Sequence, residues 1–92
     1  MIQIVNNDIR RGDVKIGWIE DEYIYDHTGK KIGFFDDNHI FNSEGKKIGY
    51  LQDDYIFTMQ GSTKIRIEDN LKEVNGGTIS DLARAAIRLL LG

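Results

Sequence analysis

Three short acidic segments carry the oxygen atoms that could bind a cation. They occur at equivalent places in three similar blocks, as Glu20-Asp21-Glu22, Asp36-Asp37-Asn38 and Gln52-Asp53-Asp54. Calcium prefers carboxylate and carbonyl oxygens, but a dedicated site needs a longer array of ligands than each segment offers. Aspartate and asparagine also favour tight turns without any metal, because their side chains bond to nearby backbone groups. We therefore predict solvated turns here, with no metal site and no cofactor.

Aromatic side chains could bind a ligand by stacking. The chain has four tyrosines, four phenylalanines and one tryptophan. Aromatic residues that alternate along a strand are more often part of a core. Three or more rings on one exposed stripe would instead favour a surface that binds sugars or peptides. Both interpretations remain open from the sequence. The candidate ligand-surface residues are Trp18, Tyr23, Tyr50 and Tyr55.

The two histidines do not indicate a catalytic centre. His27 lies in a glycine-containing turn and His39 at the start of a predicted strand, and neither has a serine partner at a suggestive spacing. The chain has no cysteine, so it has no thiolate nucleophile. We predict that the protein is not an enzyme and has no catalytic residue.

These residues lie in a block of sixteen residues that recurs over 14–29, 30–45 and 46–61. Each copy reads as a Lys-Ile-Gly-aromatic strand, an acidic turn, an Ile-aromatic strand and a turn that ends in glycine. One hairpin cannot bury its own apolar face, so the copies must pack side by side. The sequence therefore predicts a mainly β repeat fold.

The spacing of the isoleucines defines the repeating unit. Eight residues separate the two strand isoleucines across each acidic turn, whereas seven to nine separate them across the glycine turns. Variable length is typical of an exposed tip. The unit is thus a hairpin petal that turns at glycine, and about four petals can be counted from Ile9 to Ile67. A five-petal arrangement is the alternative.

Period-two alternation predicts which side chains share a strand face. It places Ile32 with Phe34, and Lys31 with Gly33 and Phe35, on opposite faces. A glycine inside a strand indicates a close approach of neighbouring petals or a bulge, and it recurs at 17, 33 and 49. We predict that aromatic rings stack between petals and that the repeat isoleucines form the core: Ile16, Ile24, Ile32, Ile40, Ile48 and Ile56.

The repeated pattern resembles that of the four-fold beta-flower family. The clearest example is the run from Ile40 to Tyr50, which reads Ile-Phe-Asn-Ser-Glu-Gly-Lys-Lys-Ile-Gly-Tyr. The resemblance spans roughly residues 8 to 68. It implies a bacterial protein of hairpin petals around a pseudo-fourfold axis, without an assigned biochemical function. The chain departs from the repeat at two places. Arg66 replaces the repeat glycine, and Arg10-Arg11 replaces an aromatic-Asp pair. Both departures bear on how the first and last petals meet.

The carboxyl-terminal segment differs from the repeats and predicts an α-helix. Ser80 is a suitable cap for a helix over Asp81–Leu91, and Asn75-Gly76-Gly77 provides a break before it. We predict a β-repeat domain over 1–74, followed by a glycine-containing linker and helix over 75–92. The helix is too short to span a bilayer, and three roles remain open: a lid over the petals, a homo-oligomer contact or a membrane-surface anchor. The candidate self-association residues are Leu82, Leu89, Leu90 and Leu91.

The composition is that of one ordinary soluble domain. The chain has 92 residues, of which 40% are hydrophobic and 29% charged, and its net charge is −3. An acidic balance argues against a nucleic-acid partner. The first residues lack a basic stretch followed by an apolar one, which predicts a cytoplasmic protein. We predict a noncatalytic structural or protein-interaction module, and the alternative is a carbohydrate- or peptide-binding module that uses the repeat aromatics.

Overall fold

The computed structural model describes all residues from Met1 to Gly92. The protein consists of one ten-stranded sheet and two helices, and the strands follow the order β10-β1-β2-β3-β4-β5-β6-β7-β8-β9. The predicted mainly β fold with a carboxyl-terminal helix is confirmed. The elements are β1 (Ile2–Val5), β2 (Asp8–Arg11), β3 (Val14–Glu20), β4 (Tyr23–Asp26), β5 (Lys31–Asp36), β6 (His39–Asn42), β7 (Lys47–Gln52), β8 (Tyr55–Thr58), β9 (Lys64–Arg66), α1 (Ile67–Glu73), β10 (Val74–Asn75) and α2 (Asp81–Leu91).

Four antiparallel hairpins turn at a glycine and form the petals: β2–β3, β4–β5, β6–β7 and β8–β9. Each turn glycine has a positive φ, a conformation that costs glycine little because it has no Cβ. The acidic turns join successive petals at the opposite end of the strands. The middle residue of each acidic turn has a positive φ, as has the first residue of the turn between β1 and β2. These φ values lie between 50° and 57°, which explains why Asx residues occupy the positions: Asn6, Asp21, Asp37 and Asp53.

A β-bulge interrupts the regular alternation in three of the petals. In the second petal Ile24 pairs with Gly33 and Tyr25 pairs with Lys31, so Ile32 is the extra residue. Lys31 consequently faces outward, over an aromatic ring, while Ile32 packs against the core. The strict alternation predicted for this strand is wrong for these two side chains, because a bulge adds one residue to one strand only.

The core lies between the inner face of the sheet and α2. The repeat isoleucines at 9, 24, 40 and 56 are fully buried, and those at 16, 32 and 48 pack against them. Helix α2 contacts β5, β6 and β7 as well as β10, so the sheet curves around it. The helix buries Ala83, Ala85, Ala86 and Ile87 against its own sheet.

The repeat glycines mark places where neighbouring petals and α2 approach closely. A Cβ at Gly33 would lie 2.5 Å from the carbonyl oxygen of Phe41 in the next petal and 2.5 Å from Leu90 Cδ1. A Cβ at Gly49 would meet Leu89 and the next petal's backbone in the same way. A close approach of neighbouring petals and a bulge were the two explanations predicted for these glycines. Both are present, and they occur at the same place in the strand.

Two elements were not predicted from the sequence. Helix α1 contacts both β9 and β10, and so lies between the two edges of the sheet. Strand β10 pairs in parallel with β1, with Ile2 opposite Val74. The predicted boundary between residues 74 and 75 falls inside β10. Neither helix combines the length and the apolar character required to cross a membrane.

Candidate ligand surface on the outer face

The outer face of the sheet carries aromatic rings that pair between neighbouring petals. Three pairs are stacked, with interplanar angles of 13° to 16°. Their centroid distances are 5.3 Å for Trp18–Tyr25, 4.8 Å for Phe34–Phe41 and 5.1 Å for Tyr50–Phe57. Each pair consists of residues opposite each other on adjacent strands, which places both rings on one face. The stacking predicted between petals is confirmed.

These rings are half-buried or exposed, and none belongs to the core. Tyr23 is 40% exposed and packs tilted against Phe34, and Tyr55 packs in the same way against Phe57. The structure therefore brings all four candidate ligand-surface residues onto one face. We call this surface the outer aromatic face, which consists of Trp18, Tyr23, Tyr25, Phe34, Phe41, Tyr50, Tyr55 and Phe57.

Four lysines lie over rings of the outer aromatic face. The distances from the lysine Nζ to the ring centroid are 5.1 Å for Lys15–Trp18, 4.3 Å for Lys31–Tyr23, 5.1 Å for Lys47–Tyr50 and 4.4 Å for Lys64–Tyr55. These are cation–π distances. The four residues, which we call the outer lysines, come from β3, β5, β7 and β9, that is, from every second strand. The sequence shows a lysine at each of these places, but the outward direction of Lys15, Lys31 and Lys47 depends on the bulge, whereas the petal of Lys64 has no bulge.

Charge is unevenly distributed around this face. The three acidic turns, which lie at one end of the strands, contain seven carboxylates and no cation. Among the outer lysines only Lys15 forms an ion pair within the protein, at 3.1 Å from Asp8. Both partners of this pair are more than 40% exposed, so it adds little stability. The outer lysines thus form a cationic band on a protein whose net charge is −3.

The other candidate groups do not converge on a site. His39 packs edge-on against Phe41, with ring centroids 6.3 Å apart, and His27 lies in the exposed turn between β4 and β5. No group of three or more histidine, aspartate or glutamate side chains is placed to hold a metal ion.

We predict that calcium does not change the stability of the protein, because turn geometry already explains the acidic residues. The melting temperature should be the same in millimolar calcium chloride, in EDTA and in sodium chloride of equal ionic strength. A ligand present at about 100 times its dissociation constant would stabilise the folded state by roughly 2.7 kcal/mol. A clear rise with calcium alone would therefore contradict this prediction.

The glycine turns are fixed by side-chain hydrogen bonds to the backbone. Asp26 Oδ1 accepts hydrogen bonds from the Thr28 hydroxyl at 2.5 Å and from the backbone N–H groups of Thr28 and Lys30 at 2.9 and 3.1 Å. The hydrogen bond from the Thr28 side chain is the main cause that lowers the pKa of Asp26 below its usual value of 3.8. Asn42 accepts the two equivalent backbone bonds in the next petal.

This geometry predicts a pH dependence. A lowered pKa in the folded state means that Asp26 stabilises the protein above its unfolded pKa, and that this stabilisation disappears as the pH falls through the folded pKa. Asp26→Asn should fold normally, because Asn42 shows that asparagine fits the turn. Urea unfolding curves between pH 5 and pH 2 should show a steeper loss of stability in the wild type than in Asp26→Asn. If the free energy of unfolding fell equally with pH in both proteins, the expected contribution of Asp26 would be contradicted.

The four leucines proposed for self-association pack against the core of their own chain. Leu89 and Leu90 lie over Gly49 and Gly33, and all four leucines are half-buried. Part of their surface stays accessible, so self-association through α2 remains a prediction. Light scattering at about 100 μM should detect an oligomer, since a stable apolar interface normally has a dissociation constant well below that concentration. A strict monomer would contradict it.

Comparison with known proteins gives one match. The family model described as 4-fold beta flower protein matches residues 10–81. The matched segment covers more than three quarters of the chain, from the third residue of β2 to the first residue of α2, and contains the four petals except for the first two residues of β2. No curated protein and no solved structure matches the chain.

Proposed function

The chain belongs to the 4-fold beta flower protein family, and we propose that it is a noncatalytic protein-interaction module that binds through its outer aromatic face. The observation that carries the proposal is the outward position of eight aromatic rings, whereas the core consists of isoleucine and alanine with Phe35 and Val74. Large rings that remain accessible dominate protein interfaces, since they bury much area with few rotatable bonds. The outer lysines add charge complementarity, which favours selective partners.

The noncatalytic part of the proposal is supported by the way that polar groups are used. Asp26 and Asn42 accept backbone hydrogen bonds in turns, and His39 packs on an aromatic ring. Arg84, the one buried cation, donates hydrogen bonds to the carbonyl oxygens of Val74 and Gly77 at 3.2 Å. Each of these groups has a structural partner, so their positions are explained without a reaction.

A carbohydrate is the second candidate ligand, because the same rings lie outside the core. Sugars stack on open ring faces, whereas each ring of the three stacked pairs has one face covered by its mate. This geometry favours a protein or peptide partner. Titration of the single tryptophan's fluorescence with a panel of oligosaccharides should therefore give no saturable change. Saturable quenching by one of the sugars would favour the carbohydrate alternative.

The proposal can be tested with variants of two rings of the outer aromatic face, the exposed Tyr23 and the half-buried Tyr55. Tyr23→Ser combined with Tyr55→Ser reduces the outer aromatic face without touching the core. Met59→Ser combined with Leu71→Ser is the control, since these side chains are also exposed and apolar, at 51% and 43%, but lie elsewhere. Immobilised wild type, tyrosine variant and control are compared by mass spectrometry of the host proteins that they retain. Proteins kept by wild type and control but lost from the tyrosine variant would support the proposal, and identical sets would contradict it.

A further inference from the structure

We infer that the outer aromatic face binds an extended acidic segment of a partner protein, with a carboxylate at about every third residue. This inference rests on the proposed interaction function and adds the chemistry of the partner. It is carried by the position of the outer lysines, their spacing and the lack of an acidic partner within the chain for three of the four.

Three of the four outer lysines have no ion pair. Lys15 is paired with Asp8, whereas Lys31, Lys47 and Lys64 contact aromatic rings and no carboxylate. The chain has 15 acidic residues, so a pairing acid was available in the composition. A lysine above a ring keeps N–H donors that point away from the ring. These three ammonium groups can therefore bind carboxylates from outside while the rings contact the apolar parts of the same segment.

The spacing of the lysines indicates the spacing of the carboxylates. The outer lysines lie on every second strand, and neighbouring strands are about 4.8 Å apart, so successive lysines are separated by roughly 10 Å. Three residues of a polyproline II segment make one full turn and advance by roughly 9 Å, at about 3.1 Å per residue, so every third side chain lies on the same side of the segment. A segment that crosses the strands can thus place one carboxylate beside each lysine. The residues between the carboxylates then lie over the stacked ring pairs.

A single-stranded nucleic acid also combines negative charge with groups that stack on aromatic rings. Its charge density is higher, with one phosphate on every nucleotide, and the seven carboxylates of the acidic turns lie at one end of the same strands. Repulsion from these turns grows with the charge of the ligand. The observations therefore favour a peptide with spaced charges over a nucleic acid.

The test uses synthetic peptides of twelve residues and the full-length protein. In the first peptide Glu recurs at every third position among Ala and Pro, and in the second the same residues are rearranged so that all the Glu are adjacent. Trp18 is the only tryptophan and lies under Lys15, so its fluorescence reports binding on this face. We expect the spaced peptide to bind more tightly than the clustered one, and its binding to weaken as salt is added. Equal binding of the two peptides would overturn the inferred spacing.

Adjacent lysines provide a matched control. Lys31→Glu combined with Lys47→Glu reverses two outer lysines, while Lys30→Glu combined with Lys46→Glu makes the same change of charge on residues that precede β5 and β7 and lie over no ring. Reversal of the outer pair should weaken binding of the spaced peptide by about tenfold or more, because each lost contact becomes a repulsion. Reversal of the control pair should have a clearly smaller effect. An equal loss in both variants would overturn the assigned position.

Two other outcomes would also overturn the inference. One is tighter binding of a thymidine oligonucleotide of twelve residues than of the spaced peptide. The other is no binding of the spaced peptide at 1 mM. The capture experiment distinguishes failure of this inference from failure of the proposed function. If the spaced peptide fails but the Tyr23→Ser/Tyr55→Ser variant retains fewer host proteins than the wild type, only the chemistry of the partner is wrong and the interaction function stands. If it loses none, the interaction function itself fails.

Discussion

A chain that ends at Asn75 is expected to lose its folded structure. It lacks α2, which supplies Ala83, Ala85, Ala86 and Ile87 to the core and covers the fully buried isoleucines of the petals. Burial of one isoleucine side chain stabilises a protein by about 1.5–3 kcal/mol, and the loss here extends to every residue packed on the helix. Since small domains are stable by only about 5–15 kcal/mol, the remaining sheet should not stay folded.

The measurement is the near-ultraviolet circular dichroism and the proton NMR dispersion of the shortened chain, at low concentration to limit aggregation. The matched control is full-length Leu91→Ser, which changes a half-buried leucine at the last residue of α2 and leaves the helix in place. The control should keep native spectra and lose only part of its stability. A folded, monomeric chain ending at Asn75 would show that α2 is an appendage.

The petals could be predicted from the sequence because their signals are local and repeated. The sixteen-residue period, the turn glycines and the Asx residues at positive φ each act within a few residues. Helix α1 gives no such signal. Arg66 precedes it without a side-chain cap, and the alternating Ile65 and Ile67 are also typical of a strand. Strand β10 has only two residues and depends on pairing with β1, which no local pattern reveals.

The candidate site was predicted in part. Trp18 and Tyr23 could be proposed as ligand-surface residues from residue type alone, because large rings are recognisable without a structure. The role of Lys31 could not, since period-two alternation places it on the inner face. One extra residue in the strand reverses that placement. The outward positions of Lys15, Lys31 and Lys47 therefore depend on a bulge, whereas Lys64 lies in the petal without one and follows simple alternation.

Substitution of Gly33 by valine is expected to destabilise the protein by roughly 2 kcal/mol or more. Valine has a better strand propensity than glycine, a difference of at most about 1 kcal/mol. The new side chain would overlap the carbonyl oxygen of Phe41 and the side chain of Leu90, each 2.5 Å from the added Cβ. The carbonyl oxygen belongs to β6, which is paired with β5, so it cannot move without disturbing the sheet. Steric overlap should therefore outweigh propensity.

The prediction separates the two sources of overlap. Leu90→Ala removes the flexible side chain but leaves the Phe41 carbonyl. Gly33→Val should therefore cost less in a Leu90→Ala background than in the wild type, and should still be destabilising there. Lys31→Val is the control, because it adds valine to the same strand at an exposed position; it should cost no more than about 0.5–1 kcal/mol, the value of the exposed cation–π contact with Tyr23 that it removes. Urea unfolding of the wild type, the two single variants, the double variant and the control gives the free energies of unfolding. A Gly33→Val chain as stable as the wild type would show that the petals can separate at this glycine, and that the close approach of β5, β6 and α2 is not what requires it.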